Sequence, residues 1–398
     1  MNEAAEEKIL SEGHSVNSLA NGNALVLTGG GARAAYQVGV LAAIVDRGGG
    51  NGFSILTGAS AGAINAAYLA AHRGTFREAI QGLRTQWSQL TADIIYGSRT
   101  PTFVRLLARW LEALAMGGRQ ETPGGRGVFD TRGLREFLAD AIDFGGIERN
   151  ISLGRLKAIG LTATSYSSGQ TVTYIEGGEH VPLWHRSNRL AVRSRLTLDH
   201  LMASSAIPLI FPAVRLGRGY FGDGSVRQTF PLSPAIHLGA ERILAIGTRS
   251  IPVPAQDPTS PETYPSAAQS LGLLLDSVFM DHLDADAEVL ESMNRLVSTS
   301  QNADTDSRAF RRVEFLLFRP SRDLGDIARE CADGLPRAIR SLARSIGAER
   351  RGGAEFLSYL LFDPVFTSRL VDLGFEDGQH QWKKVEQLLR PPLGVPVV

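Results

Sequence analysis

Gly58-Ala59-Ser60-Ala61-Gly62 is the first stretch of this sequence whose residue types and spacing suggest chemistry. A serine among small residues, with an apolar run before it and a helical run after it, fits a nucleophile elbow. Such a sharp turn exposes the Ser60 hydroxyl, and Gly58 and Gly62 supply the places where a Cβ would clash with neighbouring backbone. The same corner opens a helix, where backbone N–H groups stabilise nearby negative charge. Upstream, Gly29-Gly30-Gly31-Ala32-Arg33 also joins an apolar run to a helical one. As G-x-G-x-x-A this loop matches a dinucleotide fingerprint, but the next strand ends Leu56-Thr57-Gly58, without the acid that would hold a ribose. As an oxyanion hole, consecutive glycines let N–H groups converge on the charge of a tetrahedral intermediate. Arg33 can orient that loop, hold an anionic substrate group or form a surface salt bridge.

A serine nucleophile needs a base. None of the 8 histidines sits in a glycine-rich turn or another catalytic context. His237 falls in a helical stretch, Pro234 to Leu238, and reads as a packed or surface residue. Asp223-Gly224-Ser225 lies at the end of a short strand and offers a carboxylate that can take the Ser60 proton directly. The pair also reads as an ordinary Asp-Gly turn.

These residues need elements to position them. Ala24 to Thr28 and Phe53 to Thr57 read as buried strands, each followed by a helix, over about 34–45 and 61–71. That is a right-handed parallel βαβ unit, which places both loops at one carboxyl edge of a sheet. Only one strand precedes the elbow strand, which speaks against the α/β-hydrolase order. Further along, Lys157 to Tyr166 and Gln170 to Ile175 form a hairpin, and Leu198 to Ser205 a short helix. Arg242 to Gly247 and Val313 to Phe318 are further buried strands. The prolines at 252, 254, 258, 261 and 265 mark a linker, with a boundary near 255 and mostly helical sequence beyond. Segment 101–116 carries Phe103, Leu107, Trp110 and Leu114 on one helical face with Arg105 and Arg109 between them. It suits a membrane interface, a lid or a core-facing helix.

The whole chain sets limits on these readings. Its 398 residues include 43% hydrophobic and 21% charged residues, enough to bury a large core. Lys+Arg and Asp+Glu are both 41, so the basic excess of a dedicated nucleic-acid binder is missing. A single cysteine, Cys331, rules out a disulfide framework and a cysteine-based zinc site. The acidic N-terminus lacks the apolar region of a secretory signal, and no apolar run is long enough for a membrane span.

In the order Gly29-Gly30-Gly31-Ala32-Arg33, Gly58-Ala59-Ser60-Ala61-Gly62, Asp223-Gly224, the chain resembles the patatin-like phospholipases. Ala203-Ser204-Ser205-Ala206-Ile207-Pro208 and Phe211-Pro212 are similar to that family's approach to its aspartate. The resemblance covers about residues 23–250. Tyr359 to Phe366 and Leu370 to Gly374 look like the tail of many bacterial patatin-like proteins. The resemblance implies an α/β fold: a three-layer α/β/α arrangement around a central, mostly parallel sheet. It implies a flexible lead-in over 1–22, a catalytic domain over 23–255, and a mainly helical region over 256–398 packed on that domain. It also implies a serine acyl hydrolase, a lipase or phospholipase A-type esterase acting in lipid breakdown. Ser60 would be the nucleophile, Asp223 the base, and backbone N–H groups of Gly29, Gly30, Gly31, Ala32 and Arg33 the oxyanion hole. Gly58, Gly62 and Gly224 would support these turns, and no metal or organic cofactor is called for. The expected partner is a lipid or ester substrate, met in the cytoplasm with peripheral contact at a membrane, and not a nucleic acid. The alternative is a non-catalytic or conditionally activated membrane-associated binding protein on the same fold. Two positions depart from the family pattern: Ala34 stands where glycine is usual, and Ser225 where glycine or alanine is usual.

Overall fold

A computed structural model describes residues 22–49, 53–97, 130–208, 210–250, 270, 273, 281–299, 311–331 and 354–390. The expected lead-in (all but Gly22), the segment 101–116 and the proline-marked linker lie outside these residues.

The first βαβ unit is β1 (Asn23–Leu27), a 3-10 turn (Gly31–Ala34), α1 (Ala35–Asp46), β2 (Ile55–Ala59) and α2 (Ala61–Ala71). Among the described residues, α3 (Phe76–Gln89), α4 (Ala92–Tyr96), α5 (Arg132–Ala141) and α6 (Gly145–Ser152) come next. Then come β3 (Ala158–Ser165), β4 (Thr171–Gly177), β5 (Arg189–Arg193), α7 (Leu198–Ser204), β6 (Val214–Leu216) and β7 (Gly219–Asp223). The chain continues through α8 (Ser233–His237), β8 (Arg242–Ile246), α9 (Asp281–Thr299) and β9 (Glu314–Phe318). It closes with α10 (Leu324–Glu330), α11 (Ala354–Leu360), α12 (Pro364–His380) and α13 (Trp382–Leu389).

The strands form one sheet in the order β5-β4-β3-β2-β1-β8-β9, with β7 added to β3 and β6 to β7. From β3 across to β9 every pairing is parallel; β4 runs against β3. A parallel sheet must be covered on both faces, and its strands are apolar throughout for that reason. Alternation then divides the strand residues between two cores. Leu25, Leu27, Leu56, Leu161 and Leu244 face one side, packed under α1 to α5 and α10 to α13. Ala24, Val26, Ile55, Ala158 and Ile243 face the other, packed with Ala235 of α8 and Leu283, Ala287 and Leu290 of α9. The architecture is therefore the expected α/β/α sandwich. Strands β5 and β6 escaped the sequence reading for local reasons. Charged residues bracket β5, which is only partly buried, and β6 has 3 residues.

The C-terminal helices are pressed against the first helix. A Cβ on Gly39 of α1 would collide with the Val371 carbonyl of α12, and one on Gly374 with the Tyr36 carbonyl. The Tyr36 hydroxyl donates to Asp377 Oδ2 at 2.9 Å across the same contact. No described helix is long and apolar enough to cross a membrane.

Candidate active site

The register of three strands decides what meets at the carboxyl edge. β4 lies along one edge of β3, and β2 and β7 share the other. β2 runs with β3 and ends with Ala59 opposite Thr162. β7 runs against β3 and ends with Asp223 opposite Ala163. The two strands meet head-on, so the residue after β2, Ser60, arrives beside Asp223.

Ser60 sits at φ 54°, ψ −133°, and among the described residues is the only non-glycine with positive φ. Such a conformation costs on the order of 1–3 kcal/mol and persists only where the surroundings impose it. They do so here. The Ser60 N–H donates to both the carbonyl and the Oγ of Ser204, each at 3.1 Å. The Ser205 hydroxyl donates to the Ser60 carbonyl at 3.3 Å. A Cβ on Gly58 would lie 2.6 Å from the Gly62 carbonyl oxygen, and one on Gly62 would strike the Leu27 and Thr28 carbonyls. These glycines let the elbow turn and let α2 leave it across β1.

Asp223 is fully buried. Its N–H donates to the Ala206 carbonyl at 2.8 Å, and its carbonyl accepts from Thr164 Oγ1 at 2.8 Å. Oδ1 accepts from the Ser225 N–H at 2.8 Å, while Oδ2 is buried without a well-formed hydrogen bond. Burial pushes the carboxyl up to about 7. The Ser60 hydroxyl, the Ser225 N–H and the Ser225 hydroxyl pull the other way, toward the carboxylate. Gly224 fits because a Cβ there would collide with the Thr162 carbonyl.

The glycine loop lies against this pair. A Cβ on Gly29 would fall 2.9 Å from Ser60 Cβ. Gly30 and Gly31 have φ of 144° and 57°, which suit glycine best. Thr248 Oγ1 donates to the Gly29 carbonyl at 2.8 Å, and Gly31 packs on the Tyr359 carbonyl. The Arg33 N–H is engaged by the Gly30 carbonyl at 3.2 Å. Gly31 and Ala32 open the 3-10 turn, where N–H groups have no partner within the helix. Of the readings for the Arg33 side chain, the structure rules out a surface salt bridge. The side chain is 2% exposed, forms an ion pair with Glu355, donates from Nε to Ser358 Oγ at 2.6 Å and stacks 4.0 Å over the Tyr359 ring. Arg33 therefore ties α11 to the loop from the inside, and is not on the surface.

Ser60 opens into a cleft of about 730 Å³, counting its open mouth. Its walls are almost wholly apolar and include Ile64, Leu83, Trp87, Phe137, Phe211 and Phe362. Among the described residues, no histidine lines it. His237 stacks on Trp184 at 4.8 Å, and His200 packs edge-on against Tyr174 at 4.6 Å.

A family model described as patatin-like phospholipase matches residues 25–236, more than half of the chain. The chain belongs to the patatin-like phospholipase family. A curated relative, the cGAMP-activated phospholipase of Pseudomonas aeruginosa, is 29% identical over 247 residues, 57% of this chain and 62% of that protein. The chain thus spans under two thirds of that relative's length. Among solved structures, human GIVD cytosolic phospholipase A2 matches 92% of this chain and 60% of its own at 13% identity, with a TM-score of 0.45. VipD from Legionella pneumophila matches 88% and 66% at 14% identity, with a TM-score of 0.32. The two departures from the patatin-like pattern are both accommodated. Ala34 is fully buried, and its carbonyl accepts from Asn65 Nδ2 at 3.2 Å. The Ser225 hydroxyl occupies the space beside Gly29 that a side chain there would need.

Several residues of the site went unread in the sequence. Ser204, Ser205, Thr248 and Tyr359 are ordinary in type and distant in sequence, and only tertiary contact reveals them. The Ser204-Ser205 pair had a signal, its place in the stretch that resembles the family, but no role could be read from it. Ala61, the first residue of α2 after Ser60, also lines the cleft. The elbow geometry alone would have marked its N–H as an oxyanion donor.

Proposed function

We propose that this chain is a serine acyl hydrolase that cleaves fatty-acyl esters of lipids with Ser60 as nucleophile and Asp223 as base. The head-on meeting of β2 and β7 carries this reading. It sets a strained serine beside a buried carboxylate with one oxygen left over, at the floor of an apolar cleft. Membership of the patatin-like phospholipase family supports the same reaction class.

The reaction is a two-step acyl transfer. Asp223 takes the Ser60 proton as Ser60 Oγ attacks the ester carbonyl carbon. The carbonyl oxygen becomes an oxyanion, held by N–H groups of Gly31, Ala32 and Ala61. The tetrahedral intermediate collapses, the C–O bond to the alcohol breaks, and the proton on Asp223 passes to the leaving alkoxide. Water, deprotonated by Asp223, then attacks the acyl-enzyme, and Ser60 leaves with that proton as the fatty acid is released. The apolar walls hold the acyl chain and keep competing water from the intermediate.

A second reading rests on the relative from Pseudomonas aeruginosa, which is named as cGAMP-activated. In that version the same site works only once a ligand has bound. One experiment covers both: hydrolysis of p-nitrophenyl butyrate and of phospholipid vesicles, with and without cGAMP, by wild type, Ser60→Ala and Asp223→Asn. Activity should fall by about 10³-fold or more in each variant. Wild-type activity that survives Ser60→Ala, in protein shown to be folded, contradicts the mechanism. A rate that rises only with cGAMP selects the second reading.

A further inference from the structure

The cleft has a far end. Ser60, Ile64 and Tyr68 line it at four-residue spacing on α2, so it runs along that helix away from the nucleophile. Past Tyr68 a second depression is rimmed by His72, Arg73 and Asp143. Arg73 and Asp143 are exposed and form an ion pair across it, with Nε to Oδ2 at 3.1 Å. Tyr68, Ala141 and Ile142 line both spaces and so form the wall between them. Tyr68 is the one large side chain of the three. Its hydroxyl rests against α3 at Gly82, where an added Cβ would collide with it.

We propose that Tyr68 closes the distal end of the acyl site and sets the acyl-chain length that Ser60 accepts, near ten carbons. This rests on the reading of Ser60 as nucleophile. Ser60 and Tyr68 are two helical turns apart, about 12 Å along α2. An extended chain advances about 1.2 Å per bond. About ten carbons therefore reach from Ser60 to Tyr68. Each methylene up to that point is buried among apolar walls. The next ones meet the phenol ring or, past it, an ionic rim that offers an alkyl tail nothing. The substrate class is esters of medium-chain fatty acids.

The test is kcat/KM on p-nitrophenyl esters from four to sixteen carbons, for wild type, Tyr68→Phe, Tyr68→Ala and Gly82→Ala, with Ser60→Ala as control. The wild-type value should rise with length, by at most about fourfold per methylene, up to about ten carbons, and then fall. Tyr68→Phe keeps that optimum because the ring remains. Tyr68→Ala moves it to longer chains by joining the two spaces. Gly82→Ala, which lines neither space, shifts the optimum by displacing the ring, and carries the test if Tyr68→Ala does not fold. A wild-type optimum at sixteen carbons overturns the proposal. So does an optimum unchanged in Tyr68→Ala, or in Gly82→Ala should the former be unfolded. Butyrate hydrolysis by Ser60→Ala would instead overturn the nucleophile assignment, so the two failures are distinct.

Discussion

A carboxylate shut away from water resists ionisation, and Asp223 is such a group, raised from 3.8 to about 7. A base must be ionised to act, so the acid limb of the rate profile should have its midpoint near 7, with activity rising as pH rises through it. The Ser225 hydroxyl favours the carboxylate, and Tyr166 is the titratable group that senses the charge of Asp223. Ser225→Ala removes that help, so the acid limb of kcat should move to higher pH while KM stays near its wild-type value. A limb that stays in place, measured on a soluble ester, would deny Ser225 this role. Stability has the opposite dependence on pH. The folded chain binds the Asp223 proton more tightly than the unfolded chain. The stability this gives is fully present below about 3.8 and is lost as pH rises through about 7. Asp223→Asn cannot ionise, so it should melt higher than wild type at pH 8, with the gap narrowing as pH falls to about 5 and closing only below about 3.8. At this scale the elbow and the Asp-Gly turn were legible because glycines flank Ser60 and Asp223. Ser204 and Ser205 had a place in a family-like stretch but no role, and Thr248 neither, because these hydroxyls matter only through distant contacts.

Elements turn those side chains into a site. The glycine loop rests on α11, which Arg33 fastens through Glu355, Ser358 and Tyr359. Arg33→Met keeps the packing volume but removes the Arg33–Glu355 ion pair and the hydrogen bond to Ser358. If the loop holds the oxyanion as proposed, the expected result is a fall in kcat of about tenfold or more with KM nearly unchanged. Equal losses in kcat for Arg33→Met and for a destabilising change remote from the loop would show a merely structural role. β1, β2, β3 and β8 were readable as strands because apolar runs stand between glycine-rich turns. The antiparallel entry of β7 was not, since strand direction and register are set by partners far along the chain. That entry is what brings Asp223 to Ser60, so the pairing of the two could be expected from the sequence only through family resemblance.

For the whole molecule, residues beyond the proline run share the same sheet and the same loop. β9 pairs in parallel with β8, α11 holds the glycine turn, and α12 lies on α1 at glycine contact. Removing 354–398 would bare the buried face of α1, including Tyr36 and Val40. A chain ending at 353 should therefore fail to give folded, soluble protein, by circular dichroism and gel filtration. A folded but inactive product would instead mean that this region serves the loop alone. The parallel βαβ start was legible from buried strands alternating with helices, and the three-layer architecture through family resemblance. The intimacy of the last helices was not, because Gly39 and Gly374 reveal close approach only when both helices are placed together.

The most direct measurement is covalent labelling with an alkyl fluorophosphonate, with the modified peptide mapped by mass spectrometry. The account predicts one modified residue, Ser60, in wild type, and labelling slowed by about 10³-fold in Asp223→Asn, which lacks the base. A label on any other serine, or equal labelling rates in folded wild type and Asp223→Asn, would contradict it.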